Sequence, residues 1–279
     1  MLILDIGWYS KTMVYESDQD SSLPPGLAPG IKCLKFTEGK WQQAAVPVPR
    51  EMAFTIYINS QELVTIQCTP TKLNCLVLGY LYSEGMISDV KDVASMRVCE
   101  DDALADVTLE RANFTLPQRR VLTSGCGGGV SFNLHTGKVE SKTTILPEQA
   151  LHLMRQLLEN AQTYKLSGGI HTSAVSDSNV ILAMAEDIGR HNTLDKLMGE
   201  CLLRKIPTRD KILLTSGRVS SEMLRKAAKM QTPIIISLTS PTEQAILLAL
   251  QSGITLIGYA RGSRLMAYSH PERLQAPPA

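Results

Sequence analysis

From residue 171 onward the chain keeps one rhythm: a short apolar run of β-forming residues, a turn holding glycine and polar side chains, then a helical stretch. Residues 171–177 and 180–186 read as strands and 190–203 as a helix, with another helix before them at 147–162. Ile212-Leu213-Leu214-Thr215 reads as a buried strand, and the helix after it carries Met223, Ala227 and Met230 on one face. Residues 233–237 form the next strand. Ser240-Pro241-Thr242-Glu243 then has the form of a capping box with proline at the first helical position, opening a helix to about Ser252. Residues 254–258 give the last strand of the series. Strands that alternate with helices must cross over a sheet, so this part is expected to be a layered α/β unit.

The preceding part has a different texture. Residues 53–59 and 62–68 are β-rich runs separated by Ser60-Gln61, the pattern of a hairpin. Thr69 is placed to cap a helix, with Pro70 at its first position, Leu73, Leu76, Val77, Tyr80 and Leu81 at helical spacing, and Gly85 at its end. Residues 93–110 supply two more short strands, completing a small α+β unit. Residues 16–31 are rich in turn formers and acids and read as a loose leader. The pattern lapses again near Pro117. The expected division is a leader or linker over 1–31, a small α+β domain over 32–115 and an α/β domain over 116–279.

The formal charge is 28 − 27 = +1 over 279 residues, which gives no global case for nucleic acid. Residues 1–110 nevertheless carry 8 Lys/Arg against 15 Asp/Glu, and residues 186–279 carry 13 against 8. A basic C-terminal part in a near-neutral chain suggests a local anion site. No stretch approaches the roughly 20 apolar residues of a membrane span, and the N-terminus lacks a basic n-region. A cytoplasmic protein without a membrane partner is expected. The six cysteines include no Cys-x-x-Cys pair, so neither a disulfide framework nor a zinc site is expected.

Four loops could carry chemistry. Thr123-Ser124-Gly125-Cys126-Gly127-Gly128-Gly129-Val130 strips nearly all side-chain bulk from around one sulfur and lets backbone amides turn toward a thiolate, the nucleophilic form of cysteine. Glu186-Asp187-Ile188-Gly189-Arg190-His191-Asn192 gathers polar groups where a strand hands over to a helix, and Asp195 and Lys196 are expected to extend that patch. Gly217-Arg218-Val219-Ser220-Ser221-Glu222 repeats the arrangement, with Arg218 beside a helix start that would suit a phosphate. Tyr259-Ala260-Arg261-Gly262-Ser263-Arg264 follows the last strand, where two arginines could hold a phosphate while tyrosine stacks on a ring. His171, after Gly168-Gly169-Ile170, and His191 are candidates for managing protons.

These motifs, in this order over residues 48–274, resemble the formate dehydrogenase accessory sulfurtransferases, the FdhD family. The resemblance includes Thr69-Pro70, the Ser-Gly-Cys-Gly loop at 124–127, Gly168-Gly169-Ile170-His171, and Glu186 through Asn192 with Asp195-Lys196. It continues through Ser216-Gly217-Arg218 with Glu222, Ser240-Pro241-Thr242, and Gly258-Tyr259-Ala260-Arg261-Gly262. It implies a cytosolic homodimer whose C-terminal domain has a cytidine-deaminase-like fold. Such a protein takes sulfur as a persulfide from a cysteine desulfurase and passes it to the molybdenum (or tungsten) bis(molybdopterin guanine dinucleotide) cofactor before insertion into formate dehydrogenase. Cys126 falls at the family's persulfide-carrying cysteine. Residues 259–264 fall where the family contacts the cofactor; from residue type and loop position, Arg190 and Arg218 are further phosphate candidates, and His171 and His191 are candidates for managing protons or orienting groups near the sulfur. One position departs: many members have a second cysteine three residues after the first, and here that residue is Gly129. The first 30 residues match nothing in the family.

Two other readings compete. A non-catalytic chaperone would hold the nucleotide-bearing cofactor without moving sulfur. A zinc-dependent nucleoside deaminase would need a His/Cys-x-Glu segment and a Pro-Cys-x-x-Cys segment, and this chain has neither.

Overall fold

A computed structural model describes residues 23–111, 121–122, 130–131 and 137–275. The expected hairpin forms from β3 (Met52–Ile58) and β4 (Gln61–Cys68), preceded by a second antiparallel pair, β1 (Leu27–Thr37) and β2 (Lys40–Pro49). Strand β1 thus starts inside the stretch read as a loose leader, with Leu27 and Ala28 buried. Helix α1 (Leu73–Ser83), β5 (Val93–Cys99) and β6 (Leu104–Leu109) follow. They complete a four-stranded sheet of order β4-β3-β6-β5, in which only β3 and β6 are parallel. Phe54, Ile56 and Ile58 alternate onto the face that meets Leu76, Val77 and Leu81 of α1, as the two-residue period of a strand requires.

Short strands β7 (Val121–Leu122) and β8 (Val130–Ser131) pair antiparallel, and α2 (Pro147–Asn160) and α3 (Gln162–Ser167) come next. The larger sheet then forms from β9 (His171–Ser176), β10 (Ile181–Asp187), β11 (Ile212–Thr215), β12 (Ile234–Ser237), β13 (Thr255–Arg261) and β14 (Arg264–Ser269), interleaved with α4 (Arg190–Leu203), α5 (Ser221–Lys229) and α6 (Glu243–Ser252). Its order is β10-β9-β11-β12-β13-β14. Strands β11, β12 and β13 are mutually parallel, and the outer three run antiparallel to their neighbours. Ile212, Leu214, Ile234 and Ile236 face α2, while Leu213 and Ile235 face α4 and α5, so the unit is a three-layer α/β sandwich.

Helix α1 is buried nearly all round because its outer side meets α4. A Cβ on Gly79 of α1 would fall 1.7 Å from the Asp195 carbonyl oxygen, and one on Gly199 of α4 would fall 1.9 Å from the Cys75 carbonyl oxygen. The two helices therefore cross backbone to backbone, with each glycine vacating space for the other helix. No helix among the described residues is long and apolar enough to cross a membrane.

Three local expectations need correction. Thr69 does not cap α1: the helix begins at Leu73 after Lys72 in a left-handed conformation. Thr242, not Ser240, caps α6, accepting from the Ala245 amide, because Pro241 lies alongside Val219 in a parallel bridge. The strand at 254–258, expected to be the last, is followed by another: residues 264–269 form β14, and Gly262 with a positive φ turns the chain back between Arg261 and Arg264.

Candidate functional site

The parallel strands end on one edge of the larger sheet, and that edge collects three of the four motif loops. His171 starts β9 directly opposite Asp187 at the end of β10. The turn after β11 comes so close that a Cβ on Gly217 would lie 3.1 Å from the Arg190 Cβ and 3.3 Å from His171 Nδ1. His171, Arg190 and the Gly217-Arg218 turn are thus one cluster. Arg190 and His191 occupy the buried first turn of α4, and Arg218 is exposed at the rim.

His191 Nε2 lies 3.1 Å from Ser220 Oγ and 3.3 Å from Glu222 Oε2. Ser220 is also the N-cap of α5. Burial first, and then the charges of Lys226, Arg190 and Arg218 with His171, hold the His191 pKa down to about 2. The Glu222 carboxylate pulls the other way, but its second oxygen faces Lys226 at 3.9 Å, and burial of the ring decides the outcome. His191 is thus a neutral imidazole, with one ring nitrogen to donate a hydrogen bond and one to accept. Burial and Arg190 also lower the His171 pKa, against the opposing pull of Asp187.

The last of these three stands apart along the same edge. Tyr259 to Arg264 form the tip of the β13/β14 hairpin, three strand positions from β9, or about 14 Å at the usual interstrand spacing. The Tyr259 amide donates to the Thr239 carbonyl, and its left-handed φ of 51° marks an irregularity that turns the hairpin. Ala260 is buried, Arg261, Gly262, Ser263 and Arg264 are exposed, and the Arg261 guanidinium sits 5.9 Å from the Tyr259 ring centroid. The edge therefore offers two cationic patches with a span between them, a layout suited to an extended ligand with more than one anionic group.

Asp195 and Lys196 do not extend the exposed patch. Both are fully buried and face α1. Lys196 Nζ lies 2.5 Å from Asp187 Oδ2 and donates to the Thr69 carbonyl at 2.8 Å. The Asp187 carboxylate also accepts from the amides of Thr69 and Gly189 and from Asn192 Nδ2. Lys226 Nζ lies 2.5 Å from Asp195 Oδ2, whose other oxygen accepts from Ser83 Oγ. Desolvation raises the Asp195 pKa, while the carboxylates of Asp195 and Glu222 keep Lys226 charged. Glu186 accepts from the Thr163 and Tyr164 amides and so serves the start of α3. Sequence reasoning grouped these residues correctly and mistook their direction, because α4 carries charges where a packed helix normally carries a second apolar stripe.

Cys126 lies outside the described residues; β7 and β8 bracket its segment, with Leu122 paired to Val130. Of the five described cysteines, Cys33 and Cys99 are partly exposed, and the three buried ones offer no strong rival. Burial pushes the Cys68 and Cys201 thiols up to about 12 and raises Cys75, so all three stay protonated. Among the described residues no cluster of His, Cys, Asp and Glu could hold a metal ion.

The fold and this edge define a class: mixed α/β proteins that present basic turns at the ends of a partly parallel sheet. A profile of the FdhD/NarQ family matches residues 49–275, and the chain belongs to that family. Proteins named sulfur carrier protein FdhD are similar to it: 38% identity with that of Staphylococcus haemolyticus, covering 88% of this chain and 97% of the relative. The Halalkalibacterium halodurans protein is 41% identical, covering 88% and 95%. A crystal structure described as a formate dehydrogenase accessory protein, from Desulfotalea psychrophila, shares the fold at a TM-score of 0.75 and 24% identity, over 90% of this chain and all of that one.

Proposed function

We propose that this protein is a sulfur carrier that takes persulfide sulfur from a cysteine desulfurase and delivers it to the molybdenum (or tungsten) bis(molybdopterin guanine dinucleotide) cofactor, the cargo required for formate dehydrogenase activity. The observation that carries the reading is Cys126 in its glycine loop, in a chain whose relatives across most of its length are named sulfur carriers. In the first step the Cys126 thiolate attacks the outer sulfur of the donor's persulfide. A new S–S bond forms, the donor's S–S bond breaks, and the donor leaves as a thiolate, with no outside oxidant or reductant. Gly129 supplies no second thiol in the loop, so Cys126 carries the sulfur alone until it is handed on.

The residues on the sheet edge fit a phosphate-bearing cargo. Arg261 and Arg264 flank the hairpin turn with Tyr259 beside them, and Arg190, Arg218, His171 and His191 form the second patch. On this reading the arginines hold phosphates, and neutral His191 orients groups near the cargo through its ring hydrogen bonds. The same reading takes the three-layer unit as a cytidine-deaminase-like domain, bounded near residue 116, with the smaller α+β domain over 32–115 and the working unit as a cytoplasmic homodimer.

A cell carrying Cys126→Ser in place of the native protein tests the reading: it should lose formate dehydrogenase activity while the protein accumulates at normal levels. The second reading, a chaperone that moves no sulfur, is favoured by Gly129. It predicts that a Cys126→Ala protein still binds guanine nucleotide and still restores the dehydrogenase.

A further inference from the structure

Glu222 closes the third motif loop and has no part in the cargo reading. It stands in the first turn of α5, where its Oε2 lies 3.3 Å from His191 Nε2 and its Oε1 faces Lys226 Nζ at 3.9 Å, one turn further along the same helix. Lys226 in turn meets Asp195, which follows His191 by one turn of α4 and also accepts from Ser83 Oγ. His191–Glu222 and Asp195–Lys226 are therefore two rungs between α4 and α5, each helix contributing residues at the i, i+4 spacing that puts side chains on one face. No side chain of the four is more than 13% exposed, so water competes little for these contacts.

The hydrogen of the His191 ring is decided at Nε2, which has two oxygens before it. Ser220 Oγ lies at 3.1 Å and Glu222 Oε2 at 3.3 Å. A hydroxyl can donate to a ring nitrogen or accept from it, so Ser220 by itself leaves the tautomer open. An ionised carboxylate only accepts, and a lone pair on Nε2 would face its negative charge. We propose that Glu222, paired with Lys226, is a positioning residue that holds the His191 hydrogen on Nε2 and so makes Nδ1 the acceptor of the ring. Ser220 Oγ then accepts from Nε2 as it does from the Met223 amide. An acceptor nitrogen takes an N–H or O–H group of a ligand and repels a phosphate oxygen, so the phosphates fall to Arg190 and Arg218 and His191 selects a donor group. The step from tautomer to cargo rests on the sulfur-carrier reading; the tautomer itself does not.

The ring nitrogens are read by long-range 1H–15N NMR of the full chain at pH 7.5, with the His191 signals identified by their loss in His191→Gln. In the wild type Nε2 should carry the hydrogen, and Ser220→Ala should leave it there. Glu222→Gln exchanges a charged acceptor for a neutral amide of the same size. In that variant the ratio of the Nε2–H to the Nδ1–H form should fall about tenfold, seen as both nitrogens moving toward averaged shifts. A wild type with its hydrogen on Nδ1, nitrogens unmoved in Glu222→Gln, or nitrogens that move in Ser220→Ala instead would each overturn the proposal. Formate dehydrogenase activity in cells supplies the functional readout. It should fall about as far with Glu222→Gln as with His191→Gln, whose amide takes the place of Nε2 and leaves nothing at Nδ1, while both proteins accumulate normally. A fall with His191→Gln alone, or with neither, would overturn the positioning role. Cells that keep the activity with Cys126→Ser would contradict the carrier reading, and the tautomer is then judged on the NMR alone.

Discussion

The Lys196 ammonium lies 2.5 Å from the Asp187 carboxylate with both side chains fully buried, and the pair closes around the backbone of Thr69. The Thr69 amide donates to Asp187, its carbonyl accepts from Lys196, and its hydroxyl accepts from the Ile188 amide. One residue of the four-stranded unit is thereby gripped by the segment that presents Arg190 and His191. Removing one partner leaves an uncompensated buried charge, so Lys196→Met and Asp187→Asn should each destabilise the protein by about 3–5 kcal/mol. Urea unfolding of both single variants and of the double should show that the double costs less than the sum.

The backbone contact of α1 with α4 gives a second expectation. Gly79→Ala or Gly199→Ala places a methyl group where a carbonyl oxygen already sits, and backbone cannot move aside as a side-chain tip can. Each should cost at least about 1–3 kcal/mol, read by urea unfolding. An exposed glycine with open surroundings, Gly39, should accept a change of packing volume more easily, its cost coming from its positive φ alone.

Stability should fall on mild acidification because of His191. Its folded pKa of about 2 lies below the ordinary value of 6.5, so between these limits the unfolded chain binds a proton that the folded protein refuses. The stabilisation from keeping the ring neutral is complete above pH 6.5 and is lost as pH falls, at up to about 1.4 kcal/mol per pH unit. His171, shifted in the same direction, adds to the slope. Unfolding free energies at pH 7.5 and 5.5 should therefore converge in a His191→Gln variant relative to the wild type.

The two cationic patches should separate from the sulfur step. Arg261→Ala and Arg264→Ala at the hairpin tip should each weaken GDP binding about tenfold, the loss of one charge-assisted contact to phosphate. Both side chains are exposed, so the melting temperature should stay within about 2 °C of the wild type. Persulfide loading of Cys126 should be unchanged in these variants.

Most strands and helices were legible because their signals are local. The Leu73/Leu76/Val77/Tyr80/Leu81 stripe and the alternation in 53–58 each declare a period, and all five helix residues are buried. What was illegible depends on contacts between distant segments. Thr69 looks like a helix cap, yet its partners Asp187 and Lys196 are more than a hundred residues away. Asp195 and Lys196 look like surface charges, since nothing near them reveals Lys226 or the Thr69 carbonyl as partners. Strand β14 was hidden because Arg261-Gly262-Ser263-Arg264 reads as a loop until its pairing across the turn is known. At the site, residue types identified the turns, and only the geometry separated the His171/Arg190/His191/Arg218 cluster from the hairpin tip.

The most direct test of the account is the mass of Cys126 after the protein is incubated with an active cysteine desulfurase and cysteine. One added sulfur on the peptide containing Cys126, removed by a thiol reductant and absent from Cys126→Ser, is the predicted result. A folded protein with no added sulfur on Cys126, beside a desulfurase shown to be turning over, would contradict it.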